Sequence, residues 1–339
     1  MARVLVAALV ALIISLLAGP LFIDFLRRNS LGQTIRAEGP EHHAGKQGTP
    51  TMGGVLIVVA AAIAFLATGA RTLPALTVFG TTLACGGIGF LDDLIKLRHR
   101  RSLGLSGRIK MLLLGGIAAV VSIAAHHQDL KPHDSVYIPI VDHWLPLGIG
   151  WYVLVFLIIA GAANAVNLTD GLDGLAAGTS IIALFTLTAM AITIYIRERI
   201  GGKRIENRLD VAIIGAAVIG ATIGFLWFNT FPAEVFMGDT GAMALGGAMA
   251  TMAIFLKVEL LLLLVGGIFV IEALSVMLQV ISFRWWGRRV FLMAPIHHHF
   301  EMKAWSETRI MVRFWIITGI LCAAGFALFY KYYPQIRPQ

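Results

Sequence analysis

The sequence predicts an all-α polytopic membrane protein with about ten transmembrane helices, formed as a single integral membrane domain over residues 1–339. Three observations support this fold class. Hydrophobic residues make up 58% of the 339 residues, whereas charged residues make up only 14%. Apolar runs of about 20 residues, the length that spans a bilayer as a helix, recur along the whole chain. The connections between these runs are too short to form a separate soluble domain.

The apolar runs define ten candidate spans. Lys257 and Glu259 alone divide the eighth span from the ninth, and alternating residues over 135–141 predict a short hairpin strand between the fourth and the fifth. The ten spans are residues 4–26, 52–68, 74–91, 109–125, 149–166, 175–196, 211–228, 241–256, 260–283 and 312–330.

The distribution of Lys and Arg predicts the orientation of these spans. The loops after the first, third and ninth spans are basic and share one side of the membrane, which the positive-inside rule makes cytoplasmic. The loop 197–210, after the sixth span, is also basic although it lies on the outer side by the same count. We keep the first orientation because three loops outweigh one.

The net charge of +8 restricts the kinds of partner. In a membrane protein it indicates cytoplasmic loops that meet anionic lipid headgroups, and it also suits the attraction of an anionic substrate. Binding to nucleic acid is not expected, because the basic residues are scattered over short loops and form no continuous stripe. Cys85 and Cys322 lie inside apolar runs, which indicates neither a disulfide framework nor a zinc site.

Five polar clusters fall at the predicted cytoplasmic ends of the spans. Helix caps are needed at both ends of a span, so capping alone does not predict this one-sided arrangement. It indicates a shared site on the cytoplasmic face. The clusters are residues 46–54, Asp92 and Asp93 with Lys96, residues 164–173, residues 229–239 and residues 295–301.

The cluster over residues 164–174 contains Asn164, Asn167, Asp170 and Asp173 between two apolar spans. Polar side chains at the end of a membrane-length run are costly unless they are paired or used for function. The alternative is helix capping, with Asp170 as the N-cap and Asp173 three residues later, as in a capping box.

Asp92 and Asp93 follow an apolar run, at what we predict to be the C-terminal end of a helix. Adjacent carboxylates there repel each other and face the unfavourable end of the helix dipole. Pairing with Lys96 is the structural alternative. The functional interpretation is a metal ligand and a base near the membrane surface, because Mg²⁺ needs only one or two carboxylates besides substrate phosphates.

Asp239 begins the eighth span between Gly238 and Gly241. One interpretation is a helix N-cap, and the other is a backbone that lets a ligand approach closely. Asn229 lies upstream at the end of an apolar span, where an unpaired amide would be costly.

Three histidines, His297, His298 and His299, lie in the last predicted cytoplasmic loop. Adjacent histidines on a regular helix cannot all face one metal, so a zinc site is not expected. Histidines in such a loop suit phosphate binding or proton transfer, and the alternative is a solvated basic loop. On the ninth span, Glu272 and Gln279 share one face at a spacing of seven residues, and an inward-facing Glu in a span is rarely without a role.

Lys46 precedes a turn rich in Gly and Thr that opens the second span. Backbone N–H groups of such a turn suit an anion at a helix N-terminus, although the lysine lies on the wrong side of the glycines for a Walker A loop. Lys46 and Lys110 are candidate counter-charges for phosphate. Carboxylates, lysines and histidines, without a nucleophilic cysteine or a serine–histidine spacing, favour metal-assisted phosphoryl transfer over acyl transfer. The position at the bilayer surface favours a lipid phosphate as one substrate.

Five motifs carry a resemblance to a known family over essentially the full length of the chain. In these motifs the chain resembles the polyprenyl-phosphate N-acetylhexosamine-1-phosphate transferase superfamily and, within it, the phospho-N-acetylmuramoyl-pentapeptide transferase (MraY) family. The aspartate pairs are shared across the superfamily, whereas the first and last motifs are typical of the muramoyl branch. The motifs are KQGTPTMGG (46–54), GFLDD (89–93), NAVNLTDGLDG (164–174), FMGDTG (236–241) and MAPIHHHFE (293–301).

The resemblance implies ten transmembrane helices, a homodimer in the bacterial cytoplasmic (inner) membrane, an active site that faces the cytoplasm, and a reaction that depends on Mg²⁺. Phospho-N-acetylmuramoyl-pentapeptide would pass from its UDP carrier to undecaprenyl phosphate. The products would be UMP and the first lipid intermediate of peptidoglycan synthesis.

The resemblance also implies roles for individual residues. Asp239 is the expected Mg²⁺ ligand, with Asp92, Asp93 and Asp173 close to it, and Asp92 would keep the lipid phosphate ionised. The expected catalytic residues are Asp92, Asp93, Asp239 and His298. The expected substrate-binding residues are Lys46, Lys96, Lys110, Asn164, Asn167, Asp170, Asp173, Asn229, Phe236, Gln279, His297 and His299.

The sequence leaves two mechanisms and two rival functions open. Either the lipid phosphate attacks directly, or an aspartate first forms a covalent phospho-intermediate. A sister transferase would take UDP-N-acetylglucosamine, which the three-histidine motif disfavours. An ion-coupled transporter would carry its carboxylates near the bilayer midplane, whereas here they lie at helix ends.

Overall fold

The computed structural model describes residues 1–29, 48–99, 103–127, 133–200 and 207–333. Over these residues the chain is almost entirely helical, with one two-stranded antiparallel sheet. The elements in chain order are α1 (Ala2–Arg28), α2 (Gly54–Thr68), α3 (Leu73–His99), α4 (Gly107–His126), β1 (Ser135–Ile138), β2 (His143–Pro146), α5 (Ile149–Thr169), α6 (Leu175–Ile200), α7 (Asn207–Asn229), α8 (Gly238–Leu256), α9 (Glu259–Val265), α10 (Gly267–Trp286), α11 (Ile296–Glu301) and α12 (Glu307–Tyr332).

Nine helices in the described part of the chain are long and apolar enough to cross a membrane, which confirms the polytopic all-α class. The second predicted span corresponds to α2, which has only 15 residues. At a rise of about 1.5 Å per residue, α2 is shorter than a bilayer core of about 30 Å. The predicted hairpin strand is also confirmed, because β1 pairs with β2.

The ninth predicted span, 260–283, is wrong as a continuous helix. The structure divides it into α9 and α10 at Gly266, whose N–H still donates to the Leu262 carbonyl at 2.7 Å. Two adjacent glycines, Gly266 and Gly267, explain the break because glycine is a poor helix former. A Cβ at Gly267 would lie less than 3.0 Å from the Leu321 side chain, so α12 packs closely at the break.

Helix α8 is the central helix, since it is buried along almost its whole length and contacts α3 on one side and α5 on the other. Small residues allow these contacts. A Cβ at Gly246 would come within 3.0 Å of the Ala162 carbonyl on α5, and one at Gly247 would meet Cys85 on α3. Close packing of this kind is the main source of helix association in a membrane, where apolar surface alone supplies little driving force.

Lys257 ends α8, in agreement with the predicted division between the eighth and ninth spans. It adopts the left-handed conformation (φ 58°) at the C-cap. Its ammonium donates to the His133 carbonyl at 2.7 Å and lies 3.9 Å from the Glu259 carboxylate. The lysine therefore joins the end of α8 to the hairpin region.

Arg208 changes the interpretation of the basic loop that opposed the predicted orientation. Its side chain is buried, donates to the Phe255 carbonyl at the end of α8 and lies 4.0 Å from Glu198. One of the basic residues of this loop is therefore an internal residue that neutralises a helix terminus. It does not count as a free charge on that side of the membrane.

The crossing of α3 and α8 supplies a test of the fold. A Cβ at Gly89 would lie less than 3.0 Å from the Asp239 carbonyl, whereas Gly87, on the same helix, has open space. We expect Gly89→Ala to lower the stability by about 1–3 kcal/mol, because overpacking forces the two helices apart. Gly87→Ala is the matched control and should leave the melting temperature in detergent unchanged or slightly higher. Equal melting temperatures for the two variants would contradict this crossing.

Candidate active site

Asp92 lies between two lysines from different helices. Its carboxylate is 2.7 Å from the Lys96 ammonium, one turn further along α3, and 3.1 Å from the Lys110 ammonium on α4. It also accepts a hydrogen bond of 2.6 Å from the Leu105 backbone N–H. Pairing with Lys96, the structural alternative, is thus present for Asp92, but as part of a larger cluster.

Asp239, in the first turn of α8, completes that cluster. Its two carboxylate oxygens lie 2.9 Å from Lys96 and 2.9 Å from Lys110. Two carboxylates and two ammonium groups therefore form one network, which we call the lysine–aspartate cluster: Asp92, Lys96, Lys110 and Asp239. The side chain of Asp92 is only 2% exposed, whereas that of Lys96 is 31% exposed. The cluster is formally neutral, and Lys96 is its most exposed member.

Asp93 has different partners from its neighbour. It accepts hydrogen bonds from the Asp239 N–H (3.1 Å), the Thr240 N–H (3.0 Å) and the Thr240 hydroxyl (2.7 Å). These backbone groups are among the N–H groups that a helix leaves unsatisfied at its start. Asp93 on α3 thus caps α8, and the alternative interpretation of Asp239 as the N-cap is wrong. Met237 occupies that position.

The prediction that Asp92 and Asp93 lie at the end of a helix is also wrong. Helix α3 continues for six residues beyond Asp93, to His99. The continuation is possible because the two lysines neutralise Asp92 and the N-terminus of α8 neutralises Asp93. The two carboxylates therefore have separate sets of partners, which offset the repulsion that the sequence suggested.

The motif over residues 46–54 pairs with the motif over residues 236–241. The Phe236 N–H donates to the Pro50 carbonyl, the Gly53 N–H donates to the Phe236 carbonyl, and the Gly54 N–H donates to the Met237 carbonyl, each at 2.8 Å. The side chain of Phe236 stays half-buried. Lys46 lies outside the described residues, so its place is not part of this structure.

The capping interpretation of the 164–174 motif is wrong. Asp170 is the C-cap of α5, and α6 begins only at Leu175. Asp173 accepts a hydrogen bond of 3.0 Å from the Ala233 N–H, in the segment between α7 and α8. The left-handed conformation of Gly174 (φ 75°) provides the change of direction between the two helices. Asp170 and Asp173 therefore lie in a turn between helices and not in the first turn of one.

Asn229 holds this turn in place. Its side-chain oxygen accepts from the Gly174 N–H at 3.1 Å, and its side-chain nitrogen donates to the Val235 carbonyl at 3.0 Å. Both ends of the buried amide thus bind backbone, which makes Asn229 a structural link between two motifs. Asn164 donates to the Ala160 carbonyl of its own helix at 2.7 Å, and Asn167 is half-buried nearby in the chain. Their binding to substrate stays a prediction.

The pKa of the Asp170 carboxyl is raised to about 8. Loss of hydration is the largest cause, and the negative charges of Asp239 and Asp93 add to it. A hydrogen bond from the Gly238 backbone acts in the opposite direction. The charges of Asp239 on α8 and Asp93 on α3 therefore act on the 170–174 turn.

The three-histidine segment meets the same turn. His297 is fully buried, with its Nδ1 3.1 Å from the Glu272 carboxylate, so a solvated loop is the wrong description for this residue. His298 lies 2.5 Å from Glu301, and His299 accepts a hydrogen bond of 3.1 Å from the Leu292 N–H. A Cβ at Gly171 would lie less than 3.0 Å from the His297 ring.

Gln279 uses its side chain to hold the chain that leads into this segment. Its oxygen accepts from the Val290 and Phe291 N–H groups at 3.0 and 2.9 Å, and its nitrogen donates to the Phe291 carbonyl at 3.0 Å. The residue was expected to bind nucleotide, and in this structure its amide is engaged by backbone. Glu272 was absent from the expected site residues, although an acidic residue within an apolar span was a visible signal.

The surroundings of the expected metal ligands indicate which of them fit Mg²⁺. Among the described residues, no group of three or more His, Cys, Asp and Glu side chains is arranged to hold a metal ion. Asp92 and Asp239 nevertheless provide hard oxygen donors on two sides of the lysine–aspartate cluster. Such donors fit Mg²⁺, which takes few protein ligands and completes its shell with water and substrate phosphates. Asp93 already accepts three hydrogen bonds from the start of α8. Asp92 is likewise engaged by Lys96, Lys110 and the Leu105 N–H, so neither carboxylate is free of protein partners.

The fold and the site together define a class of protein. This is a polytopic membrane protein in which the ends of α3, α4, α5, α8 and α11 bring carboxylates, lysines and histidines together. The two lysines of this site can pair with a substrate that carries phosphate.

Comparison with known proteins places the chain within that class. A model of glycosyl transferase family 4 matches residues 75–257, and a signature of phospho-N-acetylmuramoyl-pentapeptide-transferases matches residues 46–58. The phospho-N-acetylmuramoyl-pentapeptide-transferase of Frankia alni is 47% identical over 347 residues, covering 97% of this chain and 98% of the relative. Those of Rubrobacter xylanophilus and Bacillus anthracis are each 46% identical, covering 97% and 95% of this chain and 98% and 96% of the relatives. The chain therefore belongs to glycosyl transferase family 4 and, within it, to the phospho-N-acetylmuramoyl-pentapeptide transferases.

The raised pKa of Asp170 predicts a pH dependence of stability. A carboxyl whose pKa rises from 3.8 to about 8 on folding favours the folded state when protonated. That contribution is complete below the ordinary pKa and is lost as the pH rises through about 8. The melting temperature is measured in the presence of a chelator. As the pH rises from about 5 to about 9, we expect the melting temperature of Asp170→Asn to fall less than that of the parent protein. Asp134→Asn, at the hairpin end of the molecule, is the control. Parallel losses in the parent and Asp170→Asn would contradict the raised pKa.

Proposed function

We propose that the protein transfers phospho-N-acetylmuramoyl-pentapeptide from its UDP carrier to undecaprenyl phosphate, giving UMP and the first lipid intermediate of peptidoglycan synthesis. The observation that carries this proposal is the lysine–aspartate cluster, which is formed by residues of α3, α4 and α8. The cluster contains two ammonium groups that can pair with a diphosphate. We propose that the membrane-bound acceptor reaches the diphosphate there. The family to which the chain belongs supports the choice of donor and acceptor.

The two lysines are proposed to bind the donor diphosphate. Lys96 and Lys110 each contact both Asp92 and Asp239, so each ammonium is held in place before substrate arrives. Preorganised charge stabilises a transition state more than flexible charge because little reorganisation is needed during the reaction. Negative charge that builds up on the departing UMP would therefore meet a cation already in position.

Mg²⁺ is the proposed cofactor, with Asp239 and Asp92 as the residues that would hold it and Asp173 and Asp93 nearby. When bound, the ion would supply neutralisation of the diphosphate as the bond to UMP breaks. Asp92 is also the candidate base that keeps the lipid phosphate ionised. Because Asp92 is almost fully buried behind the lysines, Asp239 is the more accessible carboxylate.

The remaining expected residues fall into two groups in this proposal. We propose that one group contacts the donor, and its members are Asp170, Asp173, Asn167, Phe236 and His298. His299 would contact the phosphates or sugar of the donor, and Lys46 and Asn164 are proposed to assist in nucleotide binding. Asn229, Gln279 and His297 are buried or bound to backbone, so we propose that they act by holding these segments.

The proposed location is the bacterial inner membrane, with the active site facing the cytoplasm and the protein as a homodimer. The positive-inside count supports the orientation, and the buried position of Arg208 removes part of the charge that opposed it. A site on the cytoplasmic side would meet both a soluble UDP-linked donor and the lipid acceptor.

Two rival functions differ from this proposal in ways that can be measured. A sister transferase would use UDP-N-acetylglucosamine at the same cluster. A transporter would bind its ion near the bilayer midplane and would form no UMP. Asp239 lies in the first turn of α8 and Asp173 lies between α5 and α6, and these positions favour a transferase.

Release of UMP by the purified protein tests the proposal. We expect UMP from UDP-N-acetylmuramoyl-pentapeptide only when undecaprenyl phosphate and Mg²⁺ are both present, which would also favour direct attack by the lipid phosphate. UMP formed without lipid, in an amount equal to the enzyme, would favour a covalent aspartyl intermediate. Activity with UDP-N-acetylglucosamine alone would assign the chain to the sister branch, and no UMP from either donor would refute a transferase.

Substitution of Asp239 tests the role of the lysine–aspartate cluster directly. Asp239→Asn removes one of the two carboxylates that position the lysines, and we expect turnover to fall by about 100-fold or more. The same variant should need more Mg²⁺ for half-maximal activity. Asp134→Asn is the control for a carboxylate far from the cluster and should keep near-parental turnover. An unchanged Mg²⁺ titration for Asp239→Asn would remove Asp239 as the metal ligand.

A further inference from the structure

Glu272 and His297 form a carboxylate–imidazole pair that is fully shielded from solvent. Glu272 lies on α10 and His297 on α11, both side chains are 0% exposed, and His297 Nδ1 is 3.1 Å from the Glu272 carboxylate. A buried carboxylate is costly unless a partner compensates it, and a buried pair is a poor source of stability compared with apolar packing. The presence of this buried pair therefore indicates a role in fixing the position of α11 against α10.

Helix α10 holds the histidine segment at a second point as well. Gln279, seven residues after Glu272 and therefore on the same face of the helix, binds the backbone of Val290 and Phe291 through three hydrogen bonds. Gln279 fixes the start of the segment that runs from residue 290 to residue 301. Glu272 fixes the middle of the segment through His297. The position of this segment is thus set by α10.

The far side of the His297 ring faces the turn between α5 and α6. A Cβ on Gly171 would lie less than 3.0 Å from His297 Nε2, so the ring rests against the turn only because residue 171 has no side chain. Nε2 is buried and has no hydrogen-bond partner among the described residues. Gly171 is next to Asp170 and two residues before Asp173. The ring therefore connects Glu272 to the turn that carries both carboxylates.

We propose that Glu272 is a positioning residue for the transferase, which orients the His297 imidazole against Gly171 and thereby fixes the 170–174 turn. The carboxylate acts through the ring in the way that outer partners orient metal-bound histidines, by setting both the ring angle and the nitrogen that carries the proton. Neither Glu272 nor His297 touches the substrate in this account. The proposal rests on the proposed function for its effect on catalysis.

Three substitutions on α10 test the positioning role of Glu272 in the full-length protein. Glu272→Leu removes the acceptor, and we expect kcat to fall by about 10- to 100-fold, the usual loss for such an outer partner. Glu272→Gln keeps an oxygen that can accept from Nδ1–H, so it should retain kcat within about threefold of the parent. Ser275→Ala is the matched control, because the Ser275 hydroxyl is buried on the same helix and donates only to the Glu272 backbone carbonyl. It should keep the parental kcat.

A second pair of variants tests the contact from the other side. Gly171→Ala places a methyl group against His297 and should lower kcat by about tenfold or more, whereas Gly116→Ala, which has open space on α4, should change it by less than about twofold. If both changes act through the same ring, the loss in the double variant Glu272→Leu/Gly171→Ala should be clearly smaller than the product of the two single losses. Multiplied losses would overturn the proposal.

Amide hydrogen exchange separates this proposal from the proposed function. Glu272→Leu should speed the exchange of amides over residues 170–178, and Ser275→Ala should not, whether or not the parent protein releases UMP. A parent without transferase activity but with this exchange pattern would refute the proposed function and keep the positioning role. Parental kcat and parental exchange in Glu272→Leu would overturn the positioning role. An equal loss of kcat in Glu272→Gln and Glu272→Leu would overturn it too.

Discussion

The hydrogen bonds from the start of α8 to Asp93 are the interaction on which the rest of the site depends. A helix that begins inside a protein must find acceptors for its first N–H groups, and here a carboxylate from another helix supplies them. This contact holds α3 against α8 at Gly89, where no side chain fits. It brings Asp239 to the same two lysines that bind Asp92. The lysine–aspartate cluster is therefore a consequence of how α8 is capped.

The division of roles between two adjacent aspartates follows from helix geometry. Neighbouring residues on a helix point about 100° apart, so Asp92 and Asp93 cannot share their partners. Asp92 meets two cations, and Asp93 meets the positive end of a helix. Basic residues at the opposite end of the molecule also have internal partners. Arg208 and Lys257 each donate to a backbone carbonyl and lie near a glutamate. Within the described residues, these basic side chains are internal parts of the fold.

Much of the fold could be predicted from the sequence because the apolar runs are long and the clusters all fall at one end of the spans. The places where prediction failed depend on contacts between distant residues. No local pattern distinguishes a cap supplied by its own helix from one supplied by Asp93, and the pattern of Asp170 and Asp173 fits a helix start as well as it fits a turn. The break at Gly266 depends on the packing of α12 as well as on glycine. Glu272 was visible as an acidic residue in a span, but its link to Gly171 through His297 needed the tertiary structure.

The most direct test of the account is a structure of the protein in lipid with UDP and Mg²⁺ bound. If the lysine–aspartate cluster receives the donor, oxygens of the diphosphate will lie about 3 Å from the Lys96 or Lys110 ammonium, next to Asp239. The nucleotide would then be bounded by the 170–174 turn and the histidine segment. A diphosphate bound elsewhere, with all four lysine–aspartate contacts unchanged, would contradict the central role of the cluster.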